Sequence, residues 1–106
     1  MLHRHVNQFL DYCRLVDFAI RSMQTLTTRL KEFQIFLKTQ RIRSVTRVRY
    51  RHLIDFAAGF NAHSLHVTKS RVWALRQFYH FLTLQRIVAE NIAAGLQYPK
   101  IEKTIP

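Results

Sequence analysis

Glycine, proline, cysteine and acid are all scarce in this chain of 106 residues. Two glycines and two prolines exclude collagen-like or linker-like material and disfavour a turn-rich β-sandwich. Neither Asn-Gly nor Asp-Gly occurs, so the strongest two-residue hairpin signal is missing. One cysteine, Cys13, allows no internal disulfide framework and no cysteine-based zinc site, which fits a reducing compartment. No apolar run approaches the roughly 18 residues that a membrane span needs. The opening Leu2-His3-Arg4-His5 is too polar to begin a signal peptide.

Acid is the most telling shortage. Six Asp and Glu stand against seventeen Lys and Arg, for a net charge of +11, and six histidines add more in mild acid. A small domain stays soluble on about 2–8 net charges, so solubility alone leaves this surplus unexplained. Confining it on one domain costs self-repulsion, which a polyanionic partner relieves. Twelve of the seventeen are arginine, whose planar fork suits phosphate oxygens and guanine edges. Arg41, Arg43, Arg47, Arg49 and Arg51 fall within eleven residues with no acid between them. Nucleic acid is the favoured partner, ahead of an anionic membrane or an acidic protein. The apolar fraction of 48% supplies a packed core and excludes a disordered basic tail.

What is present keeps a helical beat almost throughout. A first helix is expected from about Leu2 to Phe18, with Val6, Phe9, Leu10, Cys13 and one of Leu15 or Val16 on its apolar side. Ser22 reads as the N-cap of a second helix running to about Gln40. Its stripe is Leu26, Leu30, Phe33, Phe36 and Leu37, and its outer face carries Gln24, Thr28, Lys31 and Lys38. The stretch Arg41-Ile42-Arg43-Ser44 connects to a third helix, capped by Thr46 or Ser44. Val48, Leu53, Ile54, Phe56 and Ala57 are its candidate core, and Gly59 its stop. A polar loop follows, then a fourth helix from about Thr68 to Leu84 or Arg86 with Val72, Leu75, Phe78, Tyr79 and Leu82 inward. A short last helix is expected within Ala89–Gly95. The fold class is all-α, with residues 1–97 forming one domain and 98–106 the start of a linker.

Catalytic chemistry finds little footing. The six acids are scattered, and no pair has the spacing of an acid–base dyad. Two glycines cannot form a phosphate-cradling loop. His63-x-x-His66 lies in a loop without a cysteine or a nearby acid, so exposed histidines outweigh a metal site there. Cys13 sits on an apolar stripe as a small hydrophobe. Tyr12, Tyr50 and Tyr79 read as core or boundary residues. No cofactor or metal is expected, and the residues describe a binding module. Its face is expected where two helices open. Arg21, Ser22, Gln24 and Thr25 begin the second helix, with Thr28 further along. Thr68, Lys69, Ser70 and Arg71 begin the fourth, with Trp73, Arg76 and His80 following at helical spacing. Amides at a helix start, hydroxyls and basic side chains together read phosphates and grooves. Trp73 reads as core ahead of contact, while Arg76 is open equally to DNA contact or a structural hydrogen bond. Arg43 and Arg47 add backbone electrostatics. A protein-interaction module and an RNA-binding bundle remain open alternatives.

An ordered set of segments narrows the choice. Ser22-x-x-Thr25-Leu26 comes first, then Phe33 and Phe36, then Ala74-Leu75-Arg76-Gln77-Phe78-Tyr79-His80-Phe81-Leu82. Asn91-Ile92-Ala93-Ala94 and Tyr98-Pro99-Lys100 complete the set. Together they resemble the N-terminal core-binding domain of tyrosine recombinases, the phage-integrase and Xer-type family, over essentially the whole chain. Arg29 stands where that family typically has Tyr, Glu32 where it has Asp, and Ile92 where a Pro usually follows the Asn. The resemblance implies a SAM-like orthogonal bundle of four or five short helices forming half of a clamp on duplex DNA. The second and fourth helices would face the major groove of a recombination half-site, with Arg29 among the contacts. It further implies a bacterial or phage-encoded cytoplasmic, nucleoid-associated protein. Its partners would be other recombinase protomers in a synaptic complex and a C-terminal catalytic domain of the same polypeptide. The cutting and joining residues belong to that domain, so no catalytic residue carries over and this segment is expected to lack activity.

Overall fold

The computed structural model describes residues 2–99, and they form helices and turns without a strand. Three long elements dominate: α1 (Leu2–Leu15), α2 (Ile20–Thr39) and α4 (Leu65–Leu84), with a short α3 (Tyr50–Ile54) between the last two. A single 3₁₀ turn over Val45–Arg47 precedes α3, and a wider π turn over Asp55–Gly59 extends it. The all-α expectation therefore holds.

The core is aromatic at its centre. The α1 ring Phe9 lies 5.6 Å from Phe78 and 5.4 Å from Phe81, both on α4. On the other side Phe56 lies 5.1 Å from Phe33 and 5.6 Å from Phe36, joining the π turn to α2. Leu26, Leu30, Leu37, Leu75 and Leu82 fill the space between, each wholly buried. Tyr79 is buried too, and its hydroxyl donates to the Val45 carbonyl at 3.2 Å, tying the 3₁₀ turn to α4. Desolvation pushes the Tyr79 hydroxyl far above the usual phenol range. It also pushes the Cys13 thiol, fully inside, up to about 11.

Element ends depart from the sequence expectations in a consistent way. Helix α1 stops at Leu15, which is 83% exposed, and Val16 is exposed as well, so neither joins the core. Asp17 adopts a left-handed φ of 63°, and the Phe18 N–H reaches back to the Cys13 carbonyl at 3.0 Å. The same closure recurs after α2, with Arg41 at φ 56° and Ile42 N–H on the Leu37 carbonyl. It recurs after α4, with Arg86 at φ 57° and Ile87 N–H on the Leu82 carbonyl. Each stop is a left-handed residue followed by an apolar one that turns back to the core, the hydrophobic seal of this cap type. Gly59 does not serve as a left-handed stop. The described glycines have ordinary φ, and Asn61 takes that conformation at 51°.

Helix starts differ as well. Ala19, not Ser22, is the N-cap of α2, with no side-chain cap bond; Ser22 lies inside the first turn. Ser44 caps the 3₁₀ turn rather than α3, its hydroxyl accepting from Thr46 N–H at 3.3 Å. α3 begins after Arg49, whose backbone N–H donates to His52 Nδ1 at 2.8 Å. Ile54, expected inside, is 43% exposed. α4 starts at Leu65, where Ser64 accepts from Val67 N–H at 3.2 Å. No helix forms within Ala89–Gly95. Asn91 instead folds that stretch into turns, its side-chain oxygen accepting from Ala93 N–H at 3.0 Å. Ala93 and Leu96 plug the core from those turns.

Candidate nucleic-acid interface

The seam between α2 and α4 is built on one carboxylate. Glu32 on α2 receives Arg29 Nη1 at 2.8 and 2.9 Å, one turn back on the same helix, and Arg71 Nε at 3.2 Å from α4. Arg29 Nε also donates across the seam to Ser70 Oγ at 3.1 Å. Arg71 goes deeper. Its Nη1 donates to the carbonyls of Phe56, at 2.7 Å, and Phe60, and its guanidinium carbon lies 4.4 Å from the centre of the Phe56 ring. With 2% of its surface exposed, Arg71 is an internal strut that ties α4 to the π turn. The expectation that it offers its charge to a ligand at the surface is overturned by that burial. A guanidinium that makes three hydrogen bonds through Nε and Nη1, one of them to a half-buried carboxylate, follows the rule that buried charge is paired.

Arg76 follows the structural alternative. Its Nη1 donates to the Leu96 carbonyl at 3.1 Å, and its guanidinium carbon stands 5.5 Å from the Tyr98 ring centre. It holds the chain's last described turns against α4, together with Tyr50, whose hydroxyl donates to the Gly95 carbonyl at 3.3 Å. The expected linker begins at residue 98. Tyr98 packs in this way, and residues 100–106 lie outside those described.

What remains at the surface is cationic and polar. Arg21, Gln24, Thr28, Lys31 and Lys38 are exposed along the outer face of α2, with Ser22 and Thr25 half-buried beside them. On α4, His66 and Lys69 are exposed and Thr68 and Ser70 half-buried; Thr68, Lys69 and Ser70 lie about one turn inside the helix start, and His66 is its second residue. Arg43, Arg47, Arg49 and Arg51 are exposed around the 3₁₀ turn, whose Val45 and Val48 point inward. This explains how five arginines without an acid are tolerated. The chain breaks direction at Arg41 and again at Arg49, so the like charges never share one continuous helix face. Among the described residues only Arg14, Arg29 and Arg71 lie within salt-bridge distance of a carboxylate. Sequence reasoning missed the Glu32 hub. Glu32, the acid of α2, standing three residues after Arg29, was the available signal.

No group of three or more His, Cys, Asp or Glu able to hold a metal occurs among the described residues, and His63 and His66 are exposed. No described helix is long and apolar enough to cross a membrane.

Fold and surface together define a helical bundle whose basic groups outside the α2–α4 seam are left almost without acid partners. The chain is 27% identical over 104 residues to a protein named Tyrosine recombinase XerC from Bacillus subtilis (strain 168), a match covering 95% of this chain. The chain spans about a third of that relative's length, 34%. This similarity reaches as far as the tyrosine recombinases. No protein-family model matches the chain, and no solved structure matches it.

Proposed function

We propose that the chain is a DNA-binding module of a tyrosine-type site-specific recombinase, gripping duplex DNA at a recombination half-site. The observation that carries the reading is the match along 95% of the chain to a tyrosine recombinase. The unpartnered cations of α2, α4 and the 3₁₀ turn support it physically. Arg21, Lys31, Lys69, Arg43 and Arg47 supply phosphate contacts. Gln24, Thr28, Thr25, Thr68 and Ser70 supply shorter polar groups suited to positioning and base edges. Arg29 and Arg71 act from behind, fixing the angle between the two helices that present these groups. Ser22 contributes from the α2 start and Arg76 by bracing the chain after α4. Strand cutting and joining fall to a C-terminal catalytic domain of the same polypeptide, and sister protomers complete a synaptic complex in the bacterial or phage-host cytoplasm.

The test is fluorescence anisotropy with labelled duplex DNA at low salt, beside structured RNA of equal charge. The chain binds duplex, and Lys69→Ala weakens it with the helical circular dichroism signal intact. Preference for the RNA, or no binding to either, would overturn the assignment.

A further inference from the structure

One feature of the α4 surface is not a phosphate contact. Trp73 and Tyr98 both line a small, open and largely apolar cleft with His66, Lys69 and Ser70, with a volume of about 290 Å³. Trp73 is half-buried and packs on the core, so its indole is anchored. Tyr98 is 40% exposed, and the Arg76 guanidinium braces its ring. Ser70 Oγ already accepts from Arg29 Nε, which leaves its own O–H to donate. Lys69 is exposed at the rim, with no carboxylate in bridging distance among the described residues.

An intact duplex shows a protein its phosphates and base edges, while the faces of its bases are hidden in the stack. Two aromatic rings have nothing to recognise there. An unstacked base presents a π face and an adjoining phosphate, which match the rings and the Lys69 ammonium in turn. The volume is at the small end of ligand clefts, suited to one base and not two. We propose that this cleft takes a single unstacked nucleobase of DNA, with its phosphate on Lys69. The proposal rests on the nucleic-acid reading above and adds a preference for DNA whose stacking is interrupted.

Trp73 is the one tryptophan of the chain, so its emission reports on the cleft directly. Titration of the chain with a short oligothymidylate quenches that emission saturably, while a blunt duplex binds without the same quenching. Tyr98→Ala keeps the reporter and removes one ring. Its affinity for the oligothymidylate falls about five- to thirtyfold, with duplex affinity unchanged. Trp73→Leu, followed by anisotropy of a labelled oligonucleotide, gives the same loss. If that variant loses its helical signal, Tyr98→Ala decides alone. Oligothymidylate binding without quenching overturns the cleft, as does unchanged affinity in Tyr98→Ala or an equal loss for duplex and oligonucleotide. No binding of either polymer by the native chain overturns the nucleic-acid reading itself, and the cleft with it.

Discussion

Lys69 and Arg71 stand two residues apart on α4 and spend their charge in opposite ways. Lys69 is exposed, and its removal leaves no buried group unpaired. Lys69→Ala should change stability by less than about 0.5 kcal/mol while reducing the salt slope of duplex binding by about 1. Arg71 is 2% exposed and satisfies Glu32 and two carbonyls. Arg71→Ala should cost about 3 kcal/mol, read as a lowered urea midpoint, because it strands two carbonyls beside a void and leaves Glu32 with Arg29 alone. A periodicity argument could not separate the two. Charge type and helix position were visible in the sequence, but the side on which the π turn would pack was not. Cys13 was more legible, since a thiol on an apolar stripe is simply buried. Its folded value is about 11 against an ordinary 9.0, so the native state holds its proton longer than the unfolded chain does. Its contribution is therefore fully present below about pH 9 and declines as pH rises toward 11. Cys13→Ala should remove that component of the alkaline decline in urea titrations, and an unaltered pH slope would contradict the burial.

At the scale of elements, stripes were legible and caps were not. Leu26, Leu30, Phe33, Phe36 and Leu37 on α2 and Val72, Leu75, Phe78, Tyr79 and Leu82 on α4 are all buried as their spacing demands. The caps went astray because Ser and Thr are abundant at both starts and only chain direction decides which hydroxyl meets a free amide. Ser64 does so at α4; Ser22 does not at α2. Thermal melts should show Ser64→Ala costing about 1 kcal/mol and Ser22→Ala much less. A reversed ranking would place the α4 start elsewhere. The last expected helix failed for a related reason. Asn91 bonds its own turn, and Ala93 and Leu96 find burial from turns alone, so the local apolar pattern carried no helical obligation.

The described residues extend over 48 × 33 × 22 Å, with exposed cations on α2, on α4 and on the turn between α2 and α3. If Arg21, Lys31, Arg43, Arg47 and Lys69 together neutralise about five phosphates, the logarithm of the binding constant should fall against the logarithm of salt with a slope of roughly −4 to −5. A slope near −3 would mean that the Arg43 and Arg47 region stays off the duplex. The surplus of positive charge was readable from composition, because seventeen cations against six acids does not depend on where any helix ends. Which of those cations brace the interior emerged only with the packing.

The three helix stops at Asp17, Arg41 and Arg86 carry one more implication. A side chain in that backbone region costs about 1 kcal/mol relative to the right-handed one, and glycine, the residue without that cost, is nearly absent from the chain. The fold thus tolerates steric tension at three of its corners, sealed by Phe18, Ile42 and Ile87. Asp17→Gly, far from the cationic surface in chemistry and sign, is the natural place to relax it. Such a variant would raise the thermal midpoint modestly, since added freedom in the unfolded chain offsets part of the gain, and, having lost an acid, would not weaken nucleic-acid affinity. It offers a hardier scaffold on which to measure every other substitution.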